Sequence, residues 1–179
     1  MLVFDVDDPK LTQRYIKSNP TRHLPAFIQE SIWVDGNIMF LKRQFDEYDN
    51  TPEDIICYAH PDRDCIGEEM EKTLRMGLID QEMKYKMSKV YKSYNFDPYK
   101  HKILTETCIL YRKHTEVMKD FGKEWFRIIQ KCPRDQLSFD LLTKYKNVNV
   151  KQLPFEERPV IKLKHDNPQN RFQIDESAV

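Results

Sequence analysis

Apolar runs that alternate with helical segments are the feature that most constrains the fold of this chain. Three short runs, at residues 31–34, 54–59 and 107–111, have the length and composition of strands. Between and after them, apolar residues recur at helical spacing over 66–94 and 116–131. Such alternation is typical of an α/β domain, in which helices cover a sheet.

The remaining elements follow less regular patterns. We expect Gly77 to divide the 66–94 region into two helices, because glycine commonly ends a helix. The other expected elements are a strand at 2–6, a surface connection with one helical turn at 10–25, a continuation of the sheet at 38–41, a helical turn at 45–48, a helix from Arg134, and edge strands at 147–153 and 160–163. Since 179 residues suffice for one core and are few for two, we expect one domain over 1–166 and a polar tail over 167–179.

The composition argues against several classes of function. The 29 basic and 29 acidic residues balance, so no overall field directs the chain to nucleic acid or to an anionic membrane. No run approaches the ~20 apolar residues of a membrane span, and the first residues lack the pattern of a signal peptide. We therefore expect a cytoplasmic protein without a transmembrane segment. The 4 cysteines form no C-x-x-C pair, which favours reduced, buried thiols over a zinc site.

Asp35 is the first candidate functional residue. It follows the run at 31–34, which we expect to be a buried strand, and it precedes Gly36 and Asn37. Ligands of open α/β sheets bind where strands end, and a carboxylate there can hold a hard divalent cation while the glycine backbone lets a diphosphate approach. The alternative is an Asp-Gly-Asn turn between two strands. The basic residues over 10–25 either form a solvated surface or face a phosphate.

A second polar cluster, His60 to Asp64, follows the run at 54–59. Asp62 or Asp64 could cap the next helix. His60 and Arg63 are harder to explain as caps, because a histidine at a strand end can hydrogen-bond a sugar hydroxyl or a phosphate and an arginine can neutralise an anion.

A third cluster, Arg134 to Gln136, opens a helix. Asp135 could interact with the helix dipole, or Asp135 and Gln136 together could grip vicinal hydroxyls. His165 is either a surface residue or a late metal ligand that completes the site of Asp35.

Together these clusters resemble a glycosyltransferase-like family that includes the chlorovirus capsid-glycan transferase domain and plant cell-wall hexosyltransferase-like proteins. The resemblance covers roughly residues 8–153. The residues that carry it are, in order, Ser31-Ile32-Trp33-Val34-Asp35-Gly36-Asn37-Ile38, His60-Pro61-x-Arg63-Asp64-Cys65-Ile66-x-Glu68-Glu69, Arg112-Lys113-His114, Trp125 and Arg134-Asp135-Gln136-Leu137-Ser138-Phe139. It implies an α/β fold with a GT-A-like mixed sheet flanked by helices, a nucleotide-sugar donor of the UDP type, and a divalent metal, Mn or Mg.

The resemblance also implies roles for residues around the first cluster. Asp35 looks like the first position of a metal-binding D-x-D motif. Asn37 stands at the third position, which implies a weaker metal site or a further ligand such as His165. Arg14 and Lys17 fall where the family has basic residues, and they resemble contacts to the donor phosphates.

The other two clusters match the family in the same way. His60, Arg63 and Glu69 correspond to the loop after the next strand, where His60 and Arg63 would contact the donor. Asp135 and Gln136 look like the D-Q pair that lies against the transferred sugar and the acceptor. Asp135 or Glu69 would then orient or deprotonate the acceptor hydroxyl.

We expect the chain to depart from the family at its start, by lacking the usual first strand and base-binding loop. We expect a partner chain, a homo-oligomer or another arrangement to supply that surface, or donor binding to fail. The predicted function is metal-dependent transfer of a hexose-type sugar to a glycan or protein-linked acceptor. The alternatives are a non-catalytic carbohydrate-binding module and a two-metal phosphoesterase, whose site would use Asp35, His60, Asp62 and Asp64.

Overall fold

The protein is described by a computed structural model that covers residues 8–40, 51–158 and 160–162. Its elements are α1 (Pro9–Ser18), β1 (Glu30–Val34), β2 (Ile38–Phe40), β3 (Ile55–Ala59), α2 (Ile66–Arg75), α3 (Gln81–Ser93), β4 (Thr105–Lys113), α4 (Glu116–Ile129), α5 (Gln136–Tyr145), β5 (Val150–Leu153) and β6 (Val160–Lys162). The predicted strand at 2–6, the helical turn at 45–48, His165 and the tail over 167–179 lie outside the described residues.

The central sheet has four strands in the order β1-β4-β3-β5. Strand β4 runs antiparallel to both β1 and β3, and β5 runs parallel to β3. The carboxyl ends of β1, β3 and β5 therefore lie at the same edge of the sheet as the start of β4. This mixed sheet with flanking helices confirms the predicted α/β class and is consistent with a GT-A-like fold.

Strand β2 does not continue the central sheet as the sequence suggested. It pairs instead with β6 in a separate two-stranded sheet. Strand β1 also differs from the expectation of a buried strand, because its residues are half-buried or exposed. Among the described strands it pairs only with β4, so it is an edge strand.

Helices α4 and α5 supply much of the core. Trp125 and Phe139, one from each helix, are fully buried with ring centroids 5.1 Å apart in a T-shaped pair. The predicted break at Gly77 is confirmed, because this residue follows α2 with a φ of +67°. All four cysteines are buried and free, as expected. Within the described segments, the helices are too short or too polar to cross a bilayer.

Helix α1 replaces the surface connection that the sequence suggested for 10–25. Two local signals start it: Asp8 Oδ1 accepts a hydrogen bond of 2.9 Å from the Leu11 N–H, and Pro9 occupies the first turn. Its last residues are buried rather than exposed, and they include Lys17.

Two residues from other elements fix the position of α1. Gly122 in α4 faces the end of α1 so closely that an added Cβ would lie 2.1 Å from the Ser18 carbonyl oxygen. The buried guanidinium of Arg112 in β4 donates to the Lys17 carbonyl oxygen. The last turn of α1 is thus held against both a helix and the sheet, and this placement brings its basic side chains to the sheet edge.

Candidate functional site

Lys17 joins two of the predicted site residues at the shared edge of the sheet. Its Nζ lies 2.6 Å from Asp135 Oδ2 and 3.4 Å from Asp35 Oδ1. Asp35 follows β1 and Asp135 precedes α5, so one lysine from α1 connects three elements that are distant in sequence. The Lys17 side chain is 1% exposed, and a buried ammonium of this kind needs charged partners.

Three further side chains complete the Lys17 cluster, which we define as Arg14, Lys17, Trp33, Asp35, Thr107 and Asp135. Trp33 Nε1 donates a 2.7 Å hydrogen bond to Asp35 Oδ1. Thr107 Oγ1 donates to Asp135 Oδ2 at 2.9 Å and accepts from Lys17 Nζ at 3.3 Å. Each carboxylate is therefore oriented by a neutral donor as well as by a cation.

The two carboxylates of the cluster differ in access to solvent. Asp35 is 27% exposed, whereas Asp135 is 4% exposed and also lies 3.5 Å from Arg14 Nη1. Burial alone would raise the pKa of Asp135, but Lys17 and Arg14, with the hydrogen bonds from Lys17 and Thr107, hold this pKa well below its usual value. Asp135 is thus a permanent anion at neutral pH, and Asp35 is the carboxylate that a ligand can reach.

A second cluster surrounds Glu69 on α2. The Glu69 side chain is fully buried, and its two oxygens accept hydrogen bonds from Arg63 Nε at 2.7 Å and from Arg134 Nη2 at 3.0 Å. His60 lies beside it, with Nε2 3.9 Å from Glu69 Oε2 and 2.9 Å from Arg63 Nη2. We call His60, Arg63, Glu69 and Arg134 the Glu69 cluster.

The Glu69 cluster is held by two guanidinium groups on one buried carboxylate. Burial lowers the pKa of His60 and the neighbouring Arg63 lowers it further, so the imidazole is neutral at pH 7. Arg63 also lies 3.9 Å from the exposed carboxylate of Asp62, so the two guanidinium groups have two carboxylate partners. The Arg134 Nε is buried without a hydrogen-bond partner in the described part of the chain.

The segment before α5 connects the two clusters. Arg134 contacts Glu69, and the next residue, Asp135, contacts Lys17. Gln136 then turns toward β4, where its Nε2 donates to the Thr105 carbonyl oxygen at 3.4 Å, and it is buried. The structure therefore places the predicted site residues that it describes around one sheet edge, although the Asn37 side chain makes none of the contacts above.

Asp140, one turn into α5, fixes the start of β4 at this edge. It accepts hydrogen bonds from the Thr105 backbone N–H at 2.8 Å and from Thr105 Oγ1 at 2.6 Å. Its carboxyl group is buried away from any described cation, and burial raises its pKa to about 7 although the bonds from Thr105 oppose the rise. Asp140 therefore supports the site without belonging to its ion-paired clusters.

The residues around Asp35 are compatible with a divalent cation. Asp35 Oδ2 makes no hydrogen bond with the described residues, and Asn37 lies in the turn closed by the Ile38 N–H and the Asp35 carbonyl oxygen at 3.0 Å. Mg²⁺ and similar ions bind through one or two carboxylates together with substrate phosphates and water. Among the described residues, the grouping of three potential ligands that does occur is Asp64, Cys65 and Glu68, which lies apart from Asp35 and already contacts Lys102.

Sequence reasoning did not assign roles to Trp33, Thr107 and the Arg134 side chain. Trp33 was interpreted as an apolar strand residue, although its indole N–H can reach a carboxylate two positions later on the same strand face. Thr107 gave no such signal, because its partner is 28 residues away.

The fold and this edge define an α/β domain of the glycosyltransferase-like kind, with ionised groups gathered where the strands end. Residues 17–164 match the family described as TOD1/MUCI70, glycosyltransferase-like domain, and the chain belongs to this family. The resemblance seen in the sequence is thereby confirmed. No curated protein and no solved structure shows significant similarity to the chain.

Proposed function

We propose that this domain transfers a hexose-type sugar from a nucleotide-sugar donor of the UDP type to a hydroxyl group of a glycan or protein-linked acceptor. The observation that carries the proposal is the contact of Lys17 with both Asp35 and Asp135 at the strand ends, in a chain of a glycosyltransferase-like family. A donor diphosphate that approaches Asp35 would meet a preorganised, ion-paired site rather than mobile surface charges.

The charge balance of the Lys17 cluster supports the need for a metal. Two cations, Arg14 and Lys17, face two carboxylates, Asp35 and Asp135, so the cluster has no net charge with which to neutralise a diphosphate. A divalent ion, Mn or Mg, held by Asp35 with Asn37 or His165 would supply Lewis-acid stabilisation of the leaving diphosphate. Asp35 suits this role because its Oδ2 remains available.

Asp135 positions the basic residues in this proposal rather than removing a proton. A carboxylate with a lowered pKa is a weak base, and Asp135 already binds Lys17, Arg14 and Thr107. It holds the Lys17 ammonium 2.6 Å away, so that the charge stays at the sheet edge. Gln136, which is buried and donates to the Thr105 carbonyl oxygen, supports the start of β4 in this proposal rather than contacting the sugar hydroxyls.

The Glu69 cluster would bind the other end of the donor. Glu69 is enclosed by Arg63 and Arg134, so it holds these two guanidinium groups in place and is not accessible to an acceptor hydroxyl. The Arg134 side chain is 30% exposed, and its guanidinium suits a phosphate oxygen or a sugar hydroxyl. His60 positions Arg63 in this arrangement, because its Nδ1 accepts from the Asp62 and Arg63 backbone N–H groups and its Nε2 lies 2.9 Å from Arg63 Nη2.

Release of nucleoside diphosphate from UDP-sugars tests the proposal. We expect turnover with Mn²⁺ that chelation abolishes and that Asp35→Asn lowers at least about 100-fold, since the replacement removes a transition-state charge contact. Asp120→Asn is the control, because that side chain is 61% exposed and pairs with Lys146 at the far end of α5. Turnover in Asp35→Asn at the wild-type rate would contradict the proposal.

A second candidate function is a non-catalytic carbohydrate-binding module. It is favoured by the engagement of Asp135 and Glu69 in buried ion pairs, which leaves Asp35 as the accessible carboxylate of the two clusters. Sugar binding without diphosphate release, under the conditions above, would support it. A two-metal phosphoesterase has no such support, because Asp62 and Asp64 are exposed and do not group with Asp35 among the described residues.

A further inference from the structure

An open cavity of about 500 Å³ lies where α3 and α5 end, away from the candidate site. Tyr94 caps α3, and Tyr145 is the last residue of α5. Helix α5 begins directly after Asp135, so at about 1.5 Å of rise per residue the cavity lies roughly 15 Å along this helix from the Lys17 cluster. Its volume is within the range of about 300–1,000 Å³ that small-ligand sites occupy.

Aromatic rings line this cavity in two edge-to-face pairs. The ring centroids of Tyr94 and Tyr145 are 4.5 Å apart, and those of Phe96 and His101 are 5.4 Å apart. The Tyr94 hydroxyl donates to Glu124, which fixes its ring. Tyr145 is 57% exposed and is therefore available to a ligand. Rings held in this way offer rigid apolar faces at little cost in conformational entropy.

Polar groups surround the aromatic rings. Asn95, Asp97, Lys100 and Lys144 line the same cavity and provide amide, carboxylate and ammonium groups. The Lys144 ammonium lies 6.0 Å from the centroid of Phe96. The cavity thus combines flat apolar surfaces with hydrogen-bond donors and acceptors, whereas an ordinary apolar groove would offer only the apolar surfaces.

We propose that this cavity binds an oligosaccharide, as a second sugar site that holds the acceptor glycan several units from the point of transfer. Sugars have C–H faces that stack on aromatic rings and hydroxyl groups around their rims that need both donors and acceptors. The open shape lets a chain enter and leave, and α5 connects the cavity directly to Asp135. The acceptor role rests on the proposed function, but the binding of sugar does not.

Binding to an array of neutral and uronic-acid oligosaccharides, without donor or metal, tests this inference. We expect the wild-type domain to bind at least one of them, and Tyr145→Ala to weaken binding about fivefold or more in a calorimetric titration. The matched control is Tyr85→Ala on α3, because Tyr85 is 61% exposed and lies outside the cavity. It should bind as the wild type does.

Three results would overturn the inference: no binding by the wild type, undiminished binding by Tyr145→Ala, or displacement of the oligosaccharide by UDP. The assay for release of nucleoside diphosphate from UDP-sugars distinguishes a failure of this inference from a failure of the proposed function. Loss of array binding in Tyr145→Ala, with no diphosphate release by the wild type, would keep the sugar site and refute the transferase. Diphosphate release that depends on Asp35, with no binding to the oligosaccharide array, would support the transferase and refute the second sugar site.

Discussion

The replacement Gly122→Ala tests how the fold sets the site. The added Cβ would lie 2.1 Å from the Ser18 carbonyl oxygen, where ordinary contacts begin at 3.4 Å. The contacting atom belongs to the backbone, so no side chain can rotate away. Helix α1 must therefore move back by about 1 Å, since neighbouring atoms cannot overlap. Arg14 and Lys17 would move with it.

Two energies of opposite sign decide the effect on stability. Alanine stabilises a helix interior relative to glycine by about 0.5–1 kcal/mol. Overpacking costs about 1–3 kcal/mol. We expect the clash to dominate and the free energy of unfolding to fall by about 1–2 kcal/mol. Diphosphate release should fall about 100-fold, because a displacement of about 1 Å at a reacting centre has that effect.

Urea denaturation followed by tryptophan fluorescence measures the change in stability. Gly36→Ala is the control for this measurement, because nothing lies within 4 Å of its added Cβ. Its free energy of unfolding should stay within about 0.5 kcal/mol of the wild type. A Gly122→Ala protein that is as stable and as active as the wild type would show that α1 is not fixed by this contact.

Three further replacements test the buried charges. Lys17→Met should lower the free energy of unfolding, measured in urea, by about 3–5 kcal/mol, because it removes the nearest cationic partner of Asp135. The double variant Lys17→Met, Asp135→Asn should regain part of this loss. A double variant that is less stable than Lys17→Met alone would contradict this explanation. Asp140→Asn should remove the part of the pH dependence of the free energy of unfolding that arises from this carboxyl group. The folded-state pKa of about 7 is above the unfolded value, so the contribution of the Asp140 carboxyl group to stability is fully present below about pH 4 and is lost as pH rises through 7, by up to about 1.4 kcal/mol per pH unit. Wild-type and variant stability curves that run parallel over this range would refute it. Glu69→Gln should lower Tm by about 4–8 °C, because two guanidinium groups lose their shared carboxylate at a cost of roughly 2 kcal/mol, and an unchanged Tm would count against that role.

Much of the fold follows from local patterns in the sequence. Strands β3 and β4 and helices α2 to α5 have continuous apolar runs or clear helical spacing, and they form near the predicted positions. Helix α1 was missed because Pro20, Pro25 and five basic residues suggested a surface segment, whereas the start signal at Asp8 and Pro9 was stronger. Pairing of β2 with β6 depends on contacts distant in sequence, which no local pattern encodes.

The candidate site was predictable in its location and less so in its bonding. Strand ends indicated Asp35 and His60, and a helix start indicated Asp135, and all three lie at one edge. The burial of Lys17 could not be anticipated, because lysine is almost never fully buried without a partner and its partners are 18 and 118 positions away in sequence. Tertiary packing of α1 alone brings them together.

Arg134 and Asp135 are consecutive, yet each is anchored to a different helix. A single peptide bond therefore joins the ion pairs of α2 to those of α1, so a change of the backbone at this bond would alter both clusters at once.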